Sequence, residues 1–169
     1  MNTPTMVGTS LPTRPGTGNQ FILRGLHLLR AYSRNDCDTV RKLALDYLRA
    51  AEHHRDCRNY GNAIHQANTV LGLIALESDQ IDQAEAYLAA AAATPGSSQL
   101  TSFGPNMLLA KKLLLIGRRK TVLRYLEQCG AFWKLSFGRL WRWKLQIRGG
   151  GTPNFGANLT HLLDPKSFG

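Results

Sequence analysis

The sequence predicts an all-α protein, an α-solenoid of about three antiparallel helical hairpins that ends in an amphipathic capping helix. A small residue, a tyrosine, a leucine and a second small residue recur at i, i+3, i+4 and i+7, which is one face of a helix. The pattern occurs three times, with starts 40 and 38 residues apart, and turn-forming residues separate the copies. We expect the three tyrosines to occupy equivalent positions in successive layers. The copies are Ala44, Tyr47, Leu48, Ala51; Ala84, Tyr87, Leu88, Ala91; and Val122, Tyr125, Leu126, Cys129.

Length and composition fit one folded domain. The chain has 169 residues, of which 43% are hydrophobic and 19% charged, so it can bury a core without metal or disulfide crosslinks. No apolar stretch approaches the roughly 18 residues of a membrane span. The three cysteines form no CxxC pair and residues 1–20 do not resemble a secretory signal, so a cytoplasmic location is expected.

The net charge of +10 is concentrated in the second half of the chain. Residues 1–100 contain nine basic and nine acidic side chains, whereas residues 101–169 contain 12 basic and 2 acidic ones. A positive field at one end of an elongated molecule attracts an acidic protein, a nucleic acid or an anionic membrane.

The elements follow in order from local signals. Residues 1–20 are rich in Thr, Pro, Gly and Ser, which predicts a flexible leader, and helical periodicity begins at Phe21. After a break at 34–36, Asp36 or Asp38 can cap the second helix of the first hairpin. The polar stretch 53–61 predicts a turn.

Two further hairpins and a cap complete the predicted repeat domain, residues 21–148. The second hairpin combines helices at about 62–76 and 80–93 and stops at Pro95 and Gly96; the third combines about 106–116 and 120–130. The capping helix is predicted at 132–148. A Gly-rich linker and tail, 149–169, follow it.

Residues 68–95 resemble the tetratricopeptide repeat (TPR). The matching positions are Gly72, Ala84, Leu88, Ala91 and, within one residue, Pro95; the third hairpin matches more weakly at Gly117, Val122, Leu126 and Cys129. Asn68 stands where the motif has a Trp, and the spacing exceeds the usual value of about 34 residues. If insertions at 57–61 and 96–104 do not absorb the difference, a related helical-hairpin solenoid is the alternative. The region from Phe132 to Leu159 also resembles the end of uncharacterised bacterial repeat proteins, which implies no activity.

A repeat array of this kind implies a non-enzymatic scaffold that binds a protein or peptide partner in its inner groove, which first helices line. Lys111 and Lys112 favour an acidic partner. The chain has no nucleophile elbow, acid pair or phosphate-binding loop, so we expect no catalytic residue and no cofactor. The predicted groove residues are Asn62, His65, Gln66, Asn68, Thr69, Asn106, Lys111 and Lys112.

A metal site is the weaker interpretation of the histidines. His53 and Cys57 share a helical face and His65 could approach them, but no second Cys/His pair completes the four ligands that zinc needs. We therefore expect a polar turn and no metal.

The basic section offers an alternative function. Its helix has aromatic residues on one side and basic residues on the other, which suits a buried cap, a nucleic-acid contact or an anionic membrane surface. The predicted basic patch comprises Arg118, Arg119, Lys120, Arg124, Lys134, Arg139 and Arg142.

Overall fold

The computed structural model describes residues 17–165, and within this range the chain forms helices and no strand. The all-α fold class is thereby confirmed. The predicted leader lies outside the described residues up to position 16, and its last four residues belong to the first helix. The helices are α1 (Thr17–Tyr32), α2 (Cys37–Glu52), α3 (Tyr60–Glu77), α4 (Ile81–Ala92), α5 (Ser98–Phe103), α6 (Leu108–Leu115), α7 (Arg119–Cys129) and α8 (Arg139–Arg148), followed by a 3-10 turn, Gly156–Leu159.

Helix α3 lies at the centre of the molecule. It packs against its neighbours α2 and α4 and also contacts α1, α5 and α6. Fourteen of its eighteen residues, Gly61–Ala63 and His65–Ala75, are buried, because a helix with neighbours on all sides has no solvent face. Helix α2 begins where Asp36 accepts a hydrogen bond from the Thr39 amide at 3.1 Å, which selects Asp36 as the cap.

The second half of the chain adds a short helix that the sequence did not predict. Helix α5 is capped by Ser97, whose hydroxyl accepts a hydrogen bond from the Leu100 amide at 3.0 Å. Helix α7 then packs against α4, α6 and α8.

The predicted helix 132–148 is wrong at its start, because α8 begins only at Arg139. Phe137 and Gly138 have positive φ values of 47° and 77°, a left-handed conformation that interrupts a right-handed helix. Phe132 and Trp133 lie in the turns that precede α8 and are nevertheless buried. The inner face of α8 packs through Leu140, Trp143 and Ile147.

The three tyrosines of the repeated pattern differ in burial. Tyr47 and Tyr125 are buried, and their hydroxyls form hydrogen bonds with the Asn59 side chain at 2.7 Å and the Asn106 carbonyl at 2.8 Å. Tyr87 is only partly buried and packs beside Gly72. The equivalence of the three layers stays a prediction.

A glycine permits a close approach between two backbone segments. Gly61 at the start of α3 faces Gly96 so closely that a Cβ would overlap the Gly96 carbonyl, and the Gly61 carbonyl accepts a hydrogen bond from the buried Thr94 hydroxyl at 2.8 Å. This contact joins the start of α3 to the segment after α4.

Gly61→Ala is expected to lower the free energy of unfolding by about 1–3 kcal/mol, because backbone on both sides must move to admit the methyl group. Urea denaturation of the purified variant measures this. Gly18→Ala is the matched control, since no atom lies within 4 Å of the Cβ it would add. Equal stability of the two variants would contradict the close contact.

Candidate functional site

The polar residues predicted to line a groove are buried. This holds for Asn62, His65, Gln66, Asn68, Thr69 and Asn106, whereas Lys111 and Lys112 keep partial exposure. The expectation that these six side chains face solvent is wrong, because α3 is the central helix and the chain after α8 covers part of it.

Residues 152–165, here called the C-terminal segment, lie on the face that the sequence assigned to a partner. The Gln66 amide donates a hydrogen bond to the Leu162 carbonyl at 2.6 Å. The Asn106 amide donates to the carbonyls of His161 at 2.8 Å and Leu159 at 3.2 Å. These are contacts from side chains to main chain, the kind by which a groove holds a peptide.

Asn158 fixes the same segment from the opposite direction. Its side-chain amide donates to the carbonyls of Phe103 and Pro105, both at 2.9 Å, and its own carbonyl accepts from the Met107 amide at 2.8 Å. The C-terminal segment is therefore tied to the chain between α5 and α6 as well as to α3.

His65 connects three parts of the fold through its ring. Its Nδ1–H donates to the Ala91 carbonyl at 3.0 Å, and its Nε2 accepts from the Asn106 amide at 2.8 Å, which together assign the neutral Nδ1–H tautomer. Burial lowers the pKa of His65 to about 4, although the bond to Ala91 acts in the opposite direction. The ring is fully buried, and both of its nitrogens form hydrogen bonds within the fold.

The other buried polar groups of α3 have internal partners. The Asn62 amide donates to the side-chain oxygens of Asn59 and Gln99, and its oxygen accepts from the Ser97 hydroxyl. Asn68 and Thr69 donate to main-chain carbonyls four residues earlier in α3. The side chains of Asn62, Asn68 and Thr69 therefore form hydrogen bonds within the chain.

The candidate metal ligands do not converge. The Nδ1–H of His54 donates to the Ala50 carbonyl at 2.8 Å and its ring stacks on Phe21 at 4.7 Å, whereas His53 is exposed and His65 is buried elsewhere. Between residues 17 and 165 no three His, Cys, Asp or Glu side chains are grouped to hold an ion. Cys129 is buried, and burial raises the pKa of its thiol, which stays protonated.

The seven residues of the predicted basic patch are all exposed. Arg118 pairs with Glu85 at 3.6 Å, and Arg119 donates to the Gly150 carbonyl at 2.8 Å. The others form no salt bridge with any residue in the described range 17–165. These others are Lys120, Arg124, Lys134, Arg139 and Arg142.

Of the two tryptophans of α8, one is buried and the other is exposed. Trp143 is buried with Trp133 and Phe155, at ring-centroid distances of 5.5 and 4.9 Å. Trp141 is 68% exposed and Leu145 is 54% exposed. Since these two residues are four apart, they lie side by side on the outward face. Both α8 tryptophans belong to the apolar half that the sequence assigned to this helix. Two positions rotate a helix by about 200°, so Trp141 and Trp143 lie at opposite edges of that half, and only the edge with Trp143 is buried.

Comparisons of the chain with protein-family models, with curated proteins and with solved structures each find no match. No helix in the described part of the chain has the length and apolarity needed to cross a membrane.

Acid is expected to destabilise the fold through His65. Its pKa of about 4 lies below the ordinary value of 6.5, so the unfolded chain takes up the proton first as the pH falls. The stabilisation is complete above pH 6.5 and is lost between pH 6.5 and 4, by about 3 kcal/mol. Burial also lowers the pKa of His161, which acts in the same direction.

Urea denaturation at several pH values between 7.5 and 4 measures this loss. His65→Gln should be less stable at neutral pH and should show a shallower loss on acidification. A wild-type stability that is constant across this range would contradict the buried neutral imidazole.

Proposed function

We propose that the chain is a non-enzymatic, TPR-like helical scaffold that binds an acidic protein partner, an amphipathic helix, on the outward face of α8. The observation that carries this proposal is the exposure of Trp141 and Leu145 on a helix whose opposite face is buried. We propose this outward face of α8 in place of the groove expected from the sequence, because the predicted groove residues Gln66 and Asn106 bind the C-terminal segment.

The outward face of α8 suits a helical partner. Trp141 and Leu145 form an i, i+4 apolar pair, and Lys144 and Arg148 project on the same side because they lie three and seven positions after Trp141. Arg148 is exposed even though it lies 3.7 Å from Glu127. An amphipathic helix with an apolar stripe and acidic flanks matches this pattern in shape and charge. Exposed Trp is also the residue that most often anchors an interface.

The position of α8 supports the same proposal. In a stack of helical hairpins each layer is covered by the next, and a terminal helix leaves one face without a layer. Helix α8 packs on α7, and no helix among residues 17–165 packs on its outer face, where Trp141 lies. A partner helix would supply the next layer.

The absence of catalysis in this proposal rests on where the perturbed groups lie. Burial shifts the pKa values of Tyr47, His65, Tyr125 and Cys129, and all four side chains are in the core. Functional acids and bases have shifted pKa values at a cleft that substrate can enter. These four shifts accompany packing; His161, whose pKa burial also lowers, lines a cavity, but its ring contacts the Phe103 ring.

An anionic membrane or a nucleic acid is the second candidate for this basic end. The exposed indole of Trp141 favours it, because Trp beside Lys or Arg is typical of a membrane interface. The acidic Glu127, which lies beside Arg148, weakens the attraction for a polyanionic surface and favours a discrete partner.

A fluorescent amphipathic helical peptide with acidic flanks tests the proposal. We expect binding in fluorescence anisotropy at moderate salt, and Trp141→Ala or Lys144→Glu should each weaken it by about tenfold or more, because an anchor or a complementary charge is lost. Lys111→Glu is the matched control, since that lysine lies on α6 and its reversal should change the affinity little.

Phosphatidylserine vesicles and single-stranded DNA are the competing probes. Flotation with vesicles, or retention of DNA, in the absence of peptide binding would reject the protein-partner proposal in favour of the second candidate. Equal effects of Lys111→Glu and Lys144→Glu would show that attraction is nonspecific and would contradict the α8 surface.

A further inference from the structure

Two adjoining cavities lie where α8 begins, beside the C-terminal segment. Their volumes are about 460 and 280 Å³, and Arg139, Ala157 and Asn158 line both. The combined space is within the range of small-molecule sites. It is separate from the outward α8 residues to which the proposed function refers.

The smaller cavity has the chemistry of an anion site. Arg139 and Arg142 both line it together with Asn154, and no acidic side chain does. Neither guanidinium has a salt bridge within residues 17–165. Two arginines that line one cavity without a carboxylate can donate bidentate hydrogen bonds to a phosphate group.

The larger cavity has aromatic walls. Phe103 and Phe137 line it and are 62% and 83% exposed, and the Phe103 ring also contacts the His161 ring at a centroid distance of 5.6 Å. Asp164 lines the same cavity, which disfavours a phosphate there. Exposed aromatic rings offer stacking surfaces to a flat ring such as a nucleobase.

The backbone conformation of Phe137 also favours a ligand-binding role for this aromatic wall. Its φ of 47° is uncommon for a non-glycine residue, and its side chain adds little to the core because it is exposed. Strained backbone that holds a side chain at a cavity, without burying it, is typical of binding sites.

We propose that these cavities bind a mononucleotide, with its phosphate between Arg139 and Arg142 and its base against Phe103 and Phe137. This inference goes beyond the scaffold function and does not depend on the outward face of α8. We propose a free nucleotide as the ligand because Arg139 lines both the cavity with the two arginines and the cavity with the aromatic walls. One ligand that carries both a phosphate and a base would fill both.

Isothermal titration calorimetry with AMP, GMP, CMP and UMP tests this site on the full chain. At least one nucleotide should bind saturably, and its nucleoside and inorganic phosphate should each bind more weakly by about tenfold or more, since each fills one cavity. Arg139→Gln, Arg142→Gln and Phe137→Ala should each reduce the affinity by a similar factor. Circular dichroism should show an unchanged helix content for these exposed positions.

Arg124→Gln is the matched control. Arg124 is an exposed arginine on α7 that lines a different cavity, between α4 and α7, and its removal changes the net charge equally. An equal loss of affinity in this variant would overturn the proposal in favour of nonspecific attraction. Failure of all four mononucleotides to saturate at millimolar concentration would overturn it as well, including the case in which only a longer single-stranded oligonucleotide binds.

Discussion

The hydrogen bond between His65 and the Asn106 amide is the interaction on which the rest of the structure depends. Through the imidazole it joins α3 to the end of α4, and through Asn106 it reaches Tyr125 on α7 and the carbonyls of the C-terminal segment. The hydrogen bonds to Ala91, to the Asn106 amide and from Tyr125 are buried and the one to the His161 carbonyl is partly buried, so these polar groups would cost free energy if their partners were absent. The elements therefore have to assemble together, and the buried polar network specifies one arrangement of them.

This network also decides which surfaces remain for function. Gln66 and Asn106 bind the main chain of the C-terminal segment, so two of the residues predicted to line a groove are engaged within the chain. The same segment forms walls of the two cavities beside α8. The C-terminal segment thus contacts α3 and lines both cavities, while Trp141 and Leu145 on the outward side of α8 stay exposed.

Acidic residues from the first half of the chain pair with some of the basic residues of the second half. Glu77 and Glu85 from the first half of the chain lie 3.6 Å from Lys112 and Arg118, which offsets part of the positive charge around α6 and α7. Exposed pairs of this kind add little stability. Arg139 and Arg142 at the start of α8 form no salt bridge within residues 17–165, although Asp164 lines one cavity together with Arg139.

The sequence by itself determined the helical class, the faces of α2, α4 and α7, and the exposure of the basic patch, because helical periodicity and charge are local properties. It did not determine where α8 begins, because the left-handed conformation of Phe137 and Gly138 interrupts a periodicity that continues across 132–148. Nor did it show that Asn62, His65 and Gln66 are buried. A polar residue on a helix is exposed or buried according to what packs against it, and only the tertiary structure brings α5, α6 and the C-terminal segment onto α3.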